Sequence, residues 1–244
     1  MGAITFYTAA DTAALTYAAE QLMKAGYRFS DAPSPHITHL LLPVPSMASD
    51  GCIKGGKMLS DILKALPENV TVIGGNLPQL SGYRVYDLMQ DPAYVAENAY
   101  ITAHCAVRLV MDRLPVALRN CKILVIGWGR IGKCLAALLK GLEAQVTVAA
   151  RKETDRAILN ALGYQAIDIH DIRPDGYRVI FNTAPAAVLN DTPANCLKID
   201  LASTPGIGGT NVIHARGLPG KDAPEASGNL IARTIIRLIK EDEL

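Results

Sequence analysis

The chain has 244 residues, half of them hydrophobic, which is enough for one large domain or two modest ones with full cores. Its 24 Lys and Arg against 23 Asp and Glu leave a net charge of +1, which is no electrostatic footprint for nucleic acid or a membrane surface. The five cysteines (Cys52, Cys105, Cys121, Cys134 and Cys196) are scattered and form no C-x-x-C pair, which argues against a disulfide framework or a zinc site and fits a reducing cytoplasm.

Strand-like and helix-like patterns alternate along the chain, the signature of α/β architecture with parallel sheets. Ile4–Thr8 reads as a strand, followed by an Ala-rich helix with Asp11 as N-cap and Gly26 as its stop. Tyr27–Ser30 and Thr38–Leu42 read as strands, the second ended by Pro43 and Pro45. Lys57–Leu66 suits a helix, Val70–Ile73 a strand, and Tyr83–Leu88 an edge strand. Pro92, after the capping residue Asp91, opens an unbroken helical pattern that runs to Leu114, where Pro115 stops it.

A second series starts at Cys121. Its strands are expected at Lys122–Ile126, Gln145–Ala150, Val179–Phe181, Leu197–Leu201 and Asn211–Ala215, with a closing helix over Glu225–Lys240. No apolar run reaches the length of a membrane span, and no basic segment precedes an apolar stretch at the start. The expected organisation is an α/β substrate domain over 1–91, a connecting helix over 92–115 and a nucleotide-binding domain over 116–224. A terminal helix over 225–244 would return to the first domain.

The most informative motif is Gly127-Trp128-Gly129-Arg130-Ile131-Gly132. It follows the apolar strand Ile123–Ile126, opens a helix over Ile131–Lys140 and precedes a further strand, which is the context a dinucleotide fingerprint requires. Gly127 permits the tight turn, Gly129 leaves room for a pyrophosphate, and Gly132 lets helix and strand pack closely; the helix-start N–H groups then bind phosphate. This segment is therefore expected to form a Rossmann doubly wound parallel sheet.

Cofactor choice is read at the end of the second strand of that sheet. NAD enzymes place Asp or Glu there, but here the residues are Ala150, Arg151 and Lys152, with no carboxylate before Glu153. A guanidinium suits a 2′-phosphate, which points to NADP, with NAD as the alternative and a solvated loop as the bland reading of the two cations. Two later strand ends, at Thr183-Ala184-Pro185 and Leu201-Ala202-Ser203, should line the same cofactor, because ligands sit outside the carboxyl ends of parallel strands.

Together these segments resemble the A subunit of dipicolinate synthase. The resemblance is carried by the glycine-rich turn, Val146–Arg151, Asn182–Pro185, Ile199–Gly206 and Gly217–Pro224, the last two blocks being the most discriminating. It is thinner before Pro92, where Leu40–Val44 is similar to a family segment but Thr8–Asp11 stands where a glycine-rich turn is expected. On the connecting helix Asn98 and Thr102-Ala103 match the family, whereas His104 stands where the family has Glu and Cys105 where it has Gly.

The resemblance implies oxidation of dihydrodipicolinate, or its hydrated precursor, to pyridine-2,6-dicarboxylate in spore-forming bacteria, in partnership with a flavoprotein-like B subunit. A dehydrogenase of another small carboxylate and a non-catalytic nucleotide-binding regulator are the alternatives. A homodimer is compatible with the sequence, which does not show it.

Such a reaction needs a base and donors for two carboxylates. His104 is the candidate base, against a bland reading as a helix-surface histidine. Thr102, Ser46, Asn98 and Lys221 are candidate substrate contacts, with capping or a solvated charge as the alternative for Thr102, Ser46 and Lys221. Asp200 reads as a strand-end acceptor of loop N–H groups. The sequence holds no Ser/His/Asp arrangement, metal-ligand cluster or Walker motif.

Overall fold

The structure, a computed structural model, describes residues 4–48, 50–54, 56–190 and 193–242. The chain forms two compact α/β units: one made by residues up to Asn98 together with those from Pro219 onward, the other by Ala99–Leu218.

The first unit contains β1 (Thr5–Thr8), α1 (Ala13–Lys24), β2 (Arg28–Ser30), β3 (His39–Leu41), α2 (Leu59–Lys64), β4 (Thr71–Gly74) and β5 (Val85–Asp87). Its five strands pair in parallel in the order β2-β1-β3-β4-β5. That order places a topological switch point between β1 and β3. Tyr7, Leu40, Leu42, Val70 and Val72 make its core with Leu59, Ile62 and Leu63 of α2.

α1 begins one residue later than expected. Thr12, not Asp11, caps it, its hydroxyl accepting from the Leu15 N–H.

α3 (Pro92–Met111) starts in this unit and ends in the other, so the division falls inside a helix and not at its ends. Asp91 caps it by accepting from the Tyr94 N–H at 2.7 Å. The helix ends three residues before Leu114, through a turn closed by the Arg113 and Leu114 N–H groups on Val110 O.

The second unit runs β6 (Lys122–Ile126), α4 (Arg130–Gly141), β7 (Gln145–Ala149), α5 (Glu153–Ala161), β8 (Gln165–Ile167), β9 (Val179–Asn182), β10 (Leu197–Asp200) and β11 (Val212–His214). The six parallel strands lie in the order β11-β10-β9-β6-β7-β8. Read from the far edge this is 3-2-1-4-5-6, the doubly wound dinucleotide-binding topology. Ile123–Ile126 and Val179–Asn182 are wholly buried, as expected for strands covered on both faces.

α6 (Leu218–Asp222) and α7 (Pro224–Asp242) close the chain. α7 lies along α1 in the first unit, and Gly228 permits the approach: a Cβ there would sit 2.5 Å from both Ala14 O and Tyr17 Cβ. Ion pairs Arg233–Glu97, Arg237–Asp91 and Arg84–Asp242 fasten the same helix.

Candidate functional site

The site begins with the turn between β6 and α4. Gly127 has φ of 102°, a left-handed conformation that suits glycine, and a Cβ there would lie 2.6 Å from Thr183 Oγ1. A Cβ on Gly132 would lie 2.1 Å from Gly127 O, so only glycine allows the helix to start this close to the turn.

Gly129 differs from both. A Cβ there would meet nothing within 4 Å, yet the residue is the N-cap of a twelve-residue helix and offers no side-chain cap. The space beside Gly129 is thus open where the uncapped helix starts, which leaves room for a pyrophosphate. No acidic side chain occupies the first turn, and Arg130 stands in it. Of the remaining motif residues, Ile131 is half-buried. Trp128 turns its indole onto Tyr164, edge-on at 6.0 Å, with Lys133 Nζ 5.7 Å from the ring. Its indole thus takes part in packing between these side chains.

The adenosine side of such a site is the end of β7. Gly127 N–H donates to Ala149 O, which ties the glycine-rich turn to this strand. Ala150 is buried and its N–H donates to Ile167 O, so it shapes the turn and offers no side-chain contact. Arg156, which sequence reasoning missed, donates to both Ala150 O and Arg151 O at 2.8 Å and pairs with Asp168 at 2.6 Å. The Asp168 carboxyl is held below the usual value by the His170 N–H it accepts and by Arg156. With these carbonyls clamped, Arg151 and Lys152 are exposed, and neither is paired to a carboxylate among the described residues.

At the other side stand the ends of β9 and β10. Thr183 donates both its N–H and its hydroxyl to Ile126 O, at 2.8 and 2.9 Å. The hydroxyl proton is therefore spent on the glycine-rich turn, which this contact buttresses. Ala184 is half-buried and Pro185 exposed beyond it, while Leu201 and Ala202 are buried and Ser203 is exposed.

Asn182 and Asp200 join these two loops. The Asn182 amide donates to Asp200 Oδ1 and Ala184 O and accepts from the Ala184 N–H. Asp200, 1% exposed, also accepts from the N–H groups of Ala202, Gly206 and Ile207. His214, on the neighbouring β11, has Nδ1 3.9 Å from Asp200 Oδ2. The strand-end role expected for Asp200 understates it: one carboxylate holds a whole loop.

The expected catalytic and substrate residues are divided between the units: Ser46, Asn98 and Lys221 in the first, Thr102 and His104 in the second. His104 is exposed on α3 and lines an apolar groove of about 580 Å³ with Val107, Met111, Ala137, Leu138 and Leu142. Ala137 is about 12 Å along α4 from Gly129, at 1.5 Å per residue. His104 is thus an exposed residue of α3 beside the second half of α4. The phase of α3 turns residues 104, 107 and 111 to that half. Thr102 lies on a different, buried face of α3, one turn after the half-buried Asn98.

Ser46, in the first unit, is fully buried. Its hydroxyl donates to Pro43 O at 2.7 Å and accepts from Gly75 N–H at 2.9 Å, so it staples two strand-end loops and is not available to a substrate.

Lys221 is exposed on α6, and its charge acts on Lys54, another residue that sequence reasoning missed. Burial, and then Lys221, hold the Lys54 amine below the ordinary lysine value. The Lys54 backbone N–H donates to Ser46 O, which ties Lys54 to the loop that Ser46 secures. Among the described residues no group of three or more His, Cys, Asp or Glu could hold a metal, and no helix is long and apolar enough to cross a membrane.

No family model matches the chain. The chain is 22% identical to the dipicolinate synthase A subunit of Bacillus subtilis (strain 168) over 239 residues, 86% of this chain and 80% of that protein. The crystal structure of the dipicolinate synthase A subunit from Bacillus halodurans superposes with a TM-score of 0.82 at 19% identity, covering 98% of each chain. A transhydrogenase from Sinorhizobium meliloti gives 0.71 at 13% identity over 97% of this chain and 93% of its own. The resemblance to the dipicolinate synthase A subunit thus holds across both units, including the part before Pro92 where the sequence likeness is thin.

Proposed function

We propose that this chain is an NADP-dependent oxidoreductase subunit that oxidises dihydrodipicolinate, or its hydrated precursor, to dipicolinate. The observation that carries the reading is the open cradle at Gly129 with the unpaired cations Arg151 and Lys152 one strand away. The likeness to the dipicolinate synthase A subunit supports the substrate.

Bound there, a nicotinamide would supply a two-electron hydride acceptor. The chain's own residues would do the positioning: the amides of the glycine-rich turn hold the diphosphate, Arg130, Arg151 and Lys152 meet the adenosine phosphates, and the loops at Ala184-Pro185 and Leu201–Ser203 wall the reactive end. Because the product is aromatic, orientation rather than chemical activation is the protein's larger task. Lys221 and Lys54 are the groups suited to a carboxylate, which would relieve their mutual repulsion. Asn98 and Thr102 are proposed as further polar contacts.

The Bacillus subtilis relative is the A component of its synthase, so a B subunit is the expected partner. The test is parallel calorimetric titration with NADP(H) and NAD(H), followed by dihydrodipicolinate generated in situ, with and without a B subunit. Tighter binding of NADPH and appearance of dipicolinate absorbance are expected. Absence of binding by either nucleotide overturns the reading. Binding without turnover of this substrate leaves a nucleotide-binding protein of another role.

A further inference from the structure

The proposed oxidation removes two things from the substrate ring: a hydride and a proton. One ring C–H bond breaks with its electron pair passing to a nicotinamide, and the second ring hydrogen leaves as a proton to a base, so the ring is oxidised by two electrons. The dinucleotide site described above accounts for the acceptor of the hydride but holds no assigned acceptor for the proton.

Histidine is the side chain whose ordinary range suits this transfer near neutrality, and the chain has five. His36 is exposed in the loop before β3, and His39 is the first residue of that strand, at the amino end of its sheet. His104 lies over the far half of α4. His170 follows β8, in the half of the Rossmann sheet that takes adenosine. His214 alone among them ends a strand at the carboxyl edge of the other half, β9-β10-β11, which takes the nicotinamide.

Its surroundings suit the task. Parallel pairing sets His214 opposite Asp200, so their side chains lie on one face of the sheet, with Nδ1 3.9 Å from Oδ2. The carboxylate is 1% exposed and four donors already pin it, the Asn182 amide and the N–H groups of Ala202, Gly206 and Ile207, so it is a fixed charge rather than a mobile one. The imidazole is 53% exposed, and its Nδ1 is the nitrogen in ion-pair range of the carboxylate. A fixed carboxylate at that distance from one nitrogen is within ion-pair reach of the ring when the other nitrogen takes a proton. The exposed Ser203, Thr204 and Pro205 belong to the loop that Asp200 holds, so ring and loop share one anchor.

We propose that His214, beside the fixed Asp200 carboxylate, is the proton-transfer residue of this site, taking the ring proton on Nε2. The inference rests on the oxidoreductase reading and adds to it a residue with no signal in the local sequence.

The experiment compares wild type, His214→Gln and His214→Gly in the full chain, with the B subunit present. Three quantities are read: NADPH affinity by fluorescence titration, the rate of dipicolinate formation, and the His214 ring proton signal by NMR, assigned from its loss in His214→Gln. Expected are an NADPH affinity within about twofold of wild type and a rate lowered on the order of a hundredfold or more. Free imidazole should partly restore the rate of His214→Gly but not of His214→Gln. In wild type with NADPH, added dipicolinate should move the His214 signal. A His214→Gln rate within threefold of wild type, or a signal indifferent to dipicolinate, overturns this inference and leaves the oxidoreductase reading standing. Wild type that binds no NADPH, or makes no dipicolinate, overturns that reading and this one with it.

Discussion

A Cβ placed on Gly132 would stand 2.1 Å from the carbonyl oxygen of Gly127, whereas one placed on Gly129 would touch no protein atom within 4 Å. Gly132 is therefore needed by the fold, whereas Gly129 is open and, on the proposed reading, leaves room for a diphosphate. Gly132→Ala should destabilise the second unit by about 2–3 kcal/mol through overpacking against backbone. Gly129→Ala should leave the melting temperature within about 2 °C while weakening NADPH on the order of tenfold or more. Calorimetric melting and nucleotide titration of both variants check this. A Gly129→Ala protein that binds NADPH like wild type would deny the cradle its role.

Arg151 and Lys152 are exposed beside a turn whose carbonyls Arg156 clamps. Replacing both with Gln should weaken NADPH about 10- to 100-fold and leave NADH within about twofold. Equal loss for both nucleotides, or loss for neither, would show that the two side chains are solvated surface charges. Parallel titrations give the ratio directly.

His39 couples the first unit's stability to pH. Burial, and then the Arg84 charge, lower its pKa from 6.5 to about 4, against an opposing pull from Asp242. The neutral ring is favoured in the folded state, so its contribution is complete above the unfolded value near 6.5. It is lost as the pH falls from there toward 4, by up to about 3 kcal/mol in all. Thermal melts at pH 7, 5.5 and 4.5 should show a decline that flattens in His39→Gln. The same slope in that variant would assign the acid sensitivity elsewhere.

Gly228 brings α7 against α1, with a Cβ there meeting Ala14 O and Tyr17 Cβ at 2.5 Å. Gly228→Val should cost about 2–3 kcal/mol, and Gly220→Ala, where a Cβ meets nothing, should stay within about 0.5 kcal/mol. Urea unfolding of the two variants is the measurement, and equal midpoints would show that the two helices can part without cost.

The alternation of elements and the dinucleotide fingerprint were legible because they are local. A four-residue apolar run, three glycines at fixed spacing and a cap impose backbone geometry within a dozen residues, and β6, its turn and α4 stand where that pattern puts them. The three-residue strand β8 escaped, although the equally short edge strands β2, β5 and β11 did not.

The composition of the site was a different matter. Ser46 and Thr183 look like ligand donors by residue type, yet both hydroxyls are consumed by backbone partners that only the folded sheets bring within reach. His104 attracts attention through the motif it interrupts, but the phase of one helix decides which neighbour it faces. Asp200 and His214 are separated by a loop and meet because two parallel strands pair in one register. Conformational preference acts between neighbours in the chain and is written in the sequence. Hydrogen-bond saturation, burial and the pairing of distant strands depend on all the other residues at once, and only the tertiary structure decides them.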